Sequence, residues 1–463
     1  MQENITNYHT FVRENTKSMS DYISNFLIEV NSVLWGWFMI VVLVGTHLFM
    51  TIRTGFIQKH IVKGIKLSFR KADDKHPGDV SHFSSLMIAL AATIGVGNIV
   101  GVATAVALGG AGAVFWCWIV GILGIATKYA EAVLAIRYRK QTNKNTYLGG
   151  PMCALEKGVK SKFLAVLFCI FTVLASFGIG NMVQSNTLSE TLKYSLNIPD
   201  TWSGIFVSII VALVLIGGVK SIASVCRKLV PFMALLYIVC CIFIIVANIN
   251  YLLPALSLII RNAFLPEAIG GGCLGGGLML ASRYGIARGL FSNESGMGSG
   301  PIAAAAAKTN YPAEQGLVSM TGTFWDTVVV CALTGLVIVS SMLKNPEAYI
   351  GLEGVQITYV SFENIPFGNL FLVISIVCFT FSTLLGWSYY GERCLEYLTG
   401  GKGMIWYRII WVILVYIGAT TTLNIVWNFS DMANALMVIP NVISLIMLHR
   451  IIRQETDNYL RRG

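Results

Sequence analysis

The chain has 463 residues, 55% of them hydrophobic and only 12% charged, with a net charge of +10. A soluble domain carries about 25% charged residues, so a chain this long with so few charges cannot cover itself with water-compatible surface, and a soluble globular fold is excluded. Apolar runs recur along it, each of about 20 residues and long enough to cross a bilayer as a helix. The short alternating segments of a membrane barrel are missing. The ten cysteines are scattered and form no CxxC pair, which argues against a disulfide framework or a zinc site.

The fold class expected is therefore an all-α polytopic membrane protein. Residues 1–30 are polar, carry no cleavable signal peptide, and are expected outside the membrane or along its surface. Eleven spans follow, near 33–52, 84–108, 112–137, 163–193, 202–219, 228–249, 272–307, 315–342, 366–392, 404–422 and 427–449. Alternate loops place 25 of the 33 Lys and Arg residues on one side and six on the other, with Lys128 and Arg288 inside spans. By the positive-inside rule this puts the N-terminus outside and the C-terminus in the cytoplasm. The same asymmetry assigns the positive charge to membrane topology and not to nucleic acid.

Two spans are interrupted. The second contains Gly95, Val96, Gly97 and Asn98, and the seventh contains the run Ser292 to Pro301 with three glycines. Glycine inside a helix costs about 1 kcal/mol and proline about 3, so both spans are expected to unwind at mid-membrane. Unwound backbone at that depth must line a protein cavity. Each interrupted span opens a set of five, and five is odd, so the two sets run in opposite directions. Phe115-Trp116 and Phe324-Trp325 fall in matching places. The organisation expected is a polar segment (1–30), an extra first span with its basic loop (31–83), two inverted five-helix repeats (84–250 and 251–450) and a cytoplasmic tail (451–463). Inverted repeats with discontinuous first helices mark secondary transporters.

The breaks carry the candidate chemistry. Helix ends free N–H groups at one side and C=O groups at the other; the first suit a carboxylate, the second a sodium ion. Gly95, Gly97 and Asn98 are the substrate candidates of the first break, with Thr93 and Asn98 as cation candidates. In the second break Phe291, Ser292 and Met297 are expected to shape the pocket and Asn293 to ligate the cation. Glu294 is an ionisable residue at membrane depth, hence a functional candidate: a cation ligand, a proton carrier or a gate, or else the salt-bridge partner of Arg288 or Arg283. Phe177, Asn181 and Gln184 fall at i, i+4 and i+7, one helical stripe, which either reads substrate or bonds neighbouring helices. Ser382 and Thr383 are further cation candidates, and Trp387 is either the lid or ordinary core packing. Asp326 is either a coupling site or neutralises a basic group on the seventh span. Lys128 and Glu131 are expected to pair. No metalloprotease, nucleophile-elbow or phosphate-loop motif occurs, so neither catalysis nor ATP hydrolysis is supported.

With the stretches GVGNIVGVATAVALGGAGAVFW (95–116), IATKYAEAVLAIRYR (125–139), GGPM (149–152), FGIGNMVQSN (177–186), RGLFSNESGMGSGPIAAAAAKT (288–309) and FSTLLGWSYYGE (381–392), the chain resembles the alanine/glycine:cation symporter family from about residue 30 to 450. The resemblance implies a LeuT-type fold with one extra N-terminal helix. It implies uptake of alanine, glycine or a related neutral amino acid with sodium, or alternatively a proton, by alternating access. No cofactor other than the coupling ion is implied, and a monomer suffices. Gly95, Gly97 and Asn98 match the family's first break, Phe177 and Gln184 its amide-bearing helix, and Phe291 to Met297 its second break. Val96 stands where the family commonly has threonine, and Ser295 and Gly300 where another small residue is common. These departures leave a glutamine-preferring or proton-coupled member as the alternative, ahead of a channel or sensor.

Overall fold

The computed structural model describes residues 22, 24–70, 76–142, 146–264, 277–352, 354–421 and 423–461. Most of the expected polar N-terminal segment, residues 1–21 and 23, lies outside the described residues.

The described chain is almost entirely helical. A short helix, Ser24–Leu34, leads at a 42° bend into Trp37–Arg53 (α1). His82–Thr93 (α2) begins on Ser81, whose hydroxyl accepts the Ser84 N–H, and ends at Ile94, whose ψ of 93° is extended. The chain resumes as Gly97–Gly109 (α3), bent by 52° from α2. Gly112–Tyr138 (α4), Lys162–Leu196 (α5), Asp200–Ile216 (α6) and Gly218–Ala247 (α7) follow. After Ile249–Asn262 (α8) comes the second interrupted segment, Leu278–Asn293 (α9) and Gly300–Ala304 (α10). Pro312–Lys344 (α11), Val355–Phe362 (α12), Gly368–Thr399 (α13), Met404–Thr420 (α14), Leu423–Met447 (α15) and His449–Leu460 (α16) complete the chain. Helices α8, α12 and α16 lie between or beyond the expected spans. Both expected breaks are present, at residues 94–96 and 294–299.

Six of these helices are long and apolar enough to cross a bilayer, and counting each bent pair as one span raises this to eight. Asp200–Ile216 and Met404–Thr420 are apolar but shorter. The chain is a multi-pass membrane protein. Its core is ordered around α4: 83% of the apolar window of that helix is buried, against 33% for α7. Helix α4 packs most extensively on α9 and α11. Outward faces of α6, α7 and α14 carry Phe206, Leu213, Leu235, Phe243, Trp406 and Ile413 exposed, as helices facing hydrocarbon must.

Among the described residues wide π-turns occur in α3 at Gly97–Gly101, in α5 at Gly178–Met182, in α11 at Phe324–Cys331, and in the short helical segment between α4 and α5 at Ala154–Gly158. Each admits an extra residue into the helix and shifts every later side chain by about one residue of rotation, roughly 100°. Three of the four lie beside the breaks.

Orientation is directly measurable. A single cysteine placed at Lys402 is expected to react with a membrane-impermeant maleimide only after cells are opened, and one at Lys344 in intact cells. The reverse pattern would invert the charge-based assignment.

Candidate functional site

At the first break the chain caps itself. The Gly95 N–H donates to Asn98 Oδ1 at 2.8 Å, and the Asn98 N–H donates to the Gly95 carbonyl at 3.2 Å. A Cβ on Gly95 would stand 2.5 Å from Thr383 Oγ1, so only glycine allows α13 to come this close. The Asn98 amide then turns away from the break and donates to Asp326 Oδ1 at 2.7 Å and to the Asp326 carbonyl at 3.2 Å. Ser292, from the end of α9, donates to Asp326 Oδ2 at 3.0 Å, and Thr327 donates to the same oxygen at 2.7 Å. One buried carboxylate on α11 thus joins both broken helices. The alternative in which Asp326 neutralises a basic group on the seventh span is not met: among the described residues it has no ion pair, and neutral donors satisfy it.

The second break turns on three left-handed residues, Glu294 at φ 56°, Gly296 at 89° and Gly298 at 85°. A side-chain-bearing residue in that conformation costs about 1–2 kcal/mol and persists where its surroundings hold it. Glu131 of α4 does the holding. Its Oε1 accepts the N–H groups of Gly296 at 3.0 Å and Gly298 at 3.1 Å and the Asn441 amide at 2.6 Å. The expected Lys128–Glu131 ion pair is absent among the described residues, because Lys128 is drawn to the Asn293 carbonyl at 2.9 Å. Glu294 accepts the Ser299 hydroxyl, and the salt bridge to Arg288 or Arg283 does not form. Arg288 stacks over the rings of Phe291 and Trp427, and Arg283 over Tyr284. Sequence reasoning did not single out Glu131 as a site residue; an acid at membrane depth was the available signal.

Where the breaks meet, the structure encloses a cavity of about 10 Å³, room for roughly one water-sized centre. Of the candidates, Thr93, Gly95, Gly97, Gln184, Phe291, Ser292, Glu294 and Thr383 line it. Gln184 anchors its amide nitrogen on the Ile179 carbonyl at 3.0 Å and leaves Oε1 facing the first break.

Besides Asn98 and Asp326, six candidates do not line this cavity. Phe177 packs on Tyr407 and Trp411, and Asn181 donates to the Trp411 carbonyl at 2.9 Å. The π-turn at Gly178–Met182 follows Phe177 and contains Asn181, so the three residues do not keep uniform helical spacing and the predicted stripe is not one stripe. Ser382 donates to the Phe379 carbonyl and to Met233 Sδ. Asn293 donates to Thr327 and accepts the Ser295 N–H. Met297 is fully buried. Trp387 is fully buried against Gly180, where an added Cβ would collide with it. The aromatic cover is the stack of Phe291 on Trp427, with centroids 5.4 Å apart and planes 28° apart. Beyond it opens a vestibule of about 500 Å³ lined by Thr104 of α3, Thr187, Glu190, Arg288 and Trp427. It lies across the break from the basic 53–83 loop.

The two carboxylates predict separable structural losses. Asp326→Ala removes the acceptor of two hydroxyls and one of the Asn98 amide's partners, and Glu131→Ala strands two backbone N–H groups and removes one of Asn441's partners. Each is expected to destabilise the protein by about 1–3 kcal/mol per stranded group at the first, with partial relaxation thereafter. Thermal unfolding in detergent reads this, and Asp326→Asn should lose less than Asp326→Ala.

With this geometry in hand, comparison with known proteins is informative. The sequence profile described as the sodium:alanine symporter family matches residues 20–463. The chain is 47% identical over 446 residues to the sodium/alanine symporter AgcS of Methanococcus maripaludis, covering 95% of this chain and 97% of that one. It is 36% identical over 449 residues to the probable sodium/glutamine symporter GlnT of Bacillus subtilis, covering 96% and 92%. Among solved structures it is similar in fold to MhsT in complex with L-phenylalanine, with a TM-score of 0.59 at 15% identity over 80% of this chain and 89% of that one. A Na+-coupled sialic acid symporter gives a TM-score of 0.52 at 12% identity, covering 91% and 86%. Matched along nearly its whole length, the chain belongs to the sodium:alanine symporter family.

Proposed function

We propose that this protein imports a small neutral amino acid, alanine or glycine, together with Na+ by alternating access. The observation that carries the reading is the meeting of two interrupted helices around one small polar cavity, with Gln184 and Thr383 closing its sides. The family and the names of its similar members support both the amino acid and the sodium ion.

In this reading the chain crosses the membrane eleven times, as one extra helix (α1) and two inverted sets of five, with the N-terminus outside. The substrate carboxylate takes the free N–H groups at the start of α3, near Gly97, where the helix dipole favours an anion. The ammonium group takes Ser292 and Glu294. Sodium takes the hydroxyls of Thr93 and Thr383 with carbonyls at the end of α2, oxygen donors suited to a hard cation. Asn98 and Asp326 act one step back: they set the angle between the breaks. Cation binding orders the first break and raises substrate affinity, and by linkage the substrate raises cation affinity equally. The membrane potential adds about 2.3 kcal/mol per charge for each 100 mV.

The preference for alanine or glycine over glutamine is supported by the sodium/alanine symporter being the more similar of the two relatives, at 47% identity against 36%. Glu294, lining the cavity as its one ionisable group, gives a specific reason to test a proton as the coupling ion.

Purified protein in liposomes is expected to concentrate labelled alanine or glycine under an inward sodium gradient, and not under a proton gradient alone. Equal filling without any gradient would indicate a facilitator, and drive by protons alone would transfer the coupling to Glu294. Asn98→Ala and Gln184→Ala are expected to abolish uptake while the protein still reaches the membrane; normal uptake in both sinks the site assignment.

A further inference from the structure

Two sequence stretches, 125–139 and 149–152, are only partly used by the central site. Their remaining residues converge on the side of the basic loops. Arg139, just past the end of α4, spreads its guanidinium over four backbone carbonyls. Nη1 donates to Ala305 at 2.9 Å and Ala307 at 2.7 Å. Nη2 donates to Pro77 at 2.8 Å and Thr309 at 2.7 Å. The carbonyls of residues 305, 307 and 309 follow the end of α10, where helix carbonyls have no intrahelical donor. Pro77 lies on the strand of chain that leads into α2. One side chain therefore ties the entry of the first broken helix to the exit of the second.

The two segments are also joined directly. Val80 and Ala307 form a parallel β-bridge. Asp79 and Val80 donate their N–H groups to the Ala306 carbonyl at 2.8 and 3.1 Å, and Lys308 donates to the Val80 carbonyl at 2.8 Å. Asp79 in turn accepts the Tyr147 N–H at 2.9 Å, and the Arg139 guanidinium lies 4.7 Å from the Tyr147 ring centre. The 149–152 turn fits under this assembly only because Gly149 lacks a side chain: a Cβ there would stand 2.7 Å from Ala305 Cβ and 2.9 Å from Arg139 Cβ. The assembly thus holds the entry of α2 against the segment that leaves α10, so the two broken helices cannot part at these ends while it is intact.

We propose that the Val80–Ala307 bridge, clamped by Arg139, is the latch that closes the cytoplasmic exit and must open for cargo to leave. Arg139 is a positioning residue; it acts through backbone and touches no substrate. The role rests on the transport reading, but one arm of the test does not.

In the first arm, cysteines replace Val80 and Ala307 in the full-length protein. Oxidation is expected to cross-link them, to cut uptake by about tenfold or more, and to leave sodium-dependent alanine binding in detergent intact, with uptake restored by reductant. Failure to cross-link, or parental uptake in the cross-linked protein, overturns the proposal. In the second arm, Arg139→Gln is combined with Thr93→Cys in inside-out vesicles. Losing the fork is expected to speed labelling of that cysteine by an impermeant maleimide by about tenfold, with Arg139→Lys intermediate. An unchanged labelling rate overturns the latch without reference to any substrate. Faster labelling together with no uptake of any amino acid by the parent protein sinks the transport reading and leaves the latch standing.

Discussion

A helix interrupted inside a membrane must find hydrogen-bond partners within the protein, because lipid offers none. Here that constraint is met by carboxylates on the two unbroken helices that flank the breaks. Asp326 of α11 gathers Asn98 from the first break and Ser292 from the second. Glu131 of α4 gathers the left-handed turn at Gly296 and Gly298 and ties it to Asn441 on α15. The relative position of the breaks, and with it the cavity between Gly95, Gln184, Phe291 and Thr383, depends on these two groups. Neither is neutralised by an ion pair among the described residues. Neutral donors position a buried carboxylate through geometry, and each donor is lost at high cost if its acceptor goes.

The two routes out of the cavity are closed by different physics. Toward the vestibule the cover is a pair of stacked rings, Phe291 and Trp427, with Arg288 lying over them. Stacked rings slide at modest energetic cost. Toward the basic loops the closure is a set of backbone hydrogen bonds with a charged fork across them. Charge-assisted bonds are about twice as strong as neutral ones.

Much of this was legible in the amino-acid sequence. The breaks at 94–96 and 294–299 could be read because glycine clusters and proline inside apolar runs have a known helical cost, and Thr93, Gly95, Gly97, Gln184, Phe291, Ser292, Glu294 and Thr383 follow from proximity to those breaks or to one another. Other placements have specific causes. Phe177, Asn181 and Gln184 were grouped by uniform helical spacing, and the π-turn that contains Asn181 breaks that spacing, leaving Asn181 bonded to a neighbouring helix. Ser382 neighbours Thr383 but faces the next helix. Trp387 was singled out for its size and packs against Gly180, whereas Phe291, which lines the cavity, stacks on Trp427 from a different part of the chain. Charge pairing was read from local spacing for Lys128 with Glu131 and for Glu294 with Arg288. Buried backbone groups, invisible in sequence, compete for Lys128 and Glu131 and win, while Glu294 takes the Ser299 hydroxyl and Arg288 the rings of Phe291 and Trp427.

The π-turns carry a consequence for how such a chain can change length over generations. A straight membrane helix rejects the loss or gain of one residue, since every side chain beyond the change swings to a wrong face. A helix already holding a surplus residue at Gly97–Gly101, Gly178–Met182 or Phe324–Cys331 can shed it locally, the wide turn closing to ordinary α geometry while both ends keep their depth and faces. Such sites are the natural points for single-residue insertions and deletions. Each one alters the lining within a single turn in one genetic step and leaves the rest of the helix packed as before.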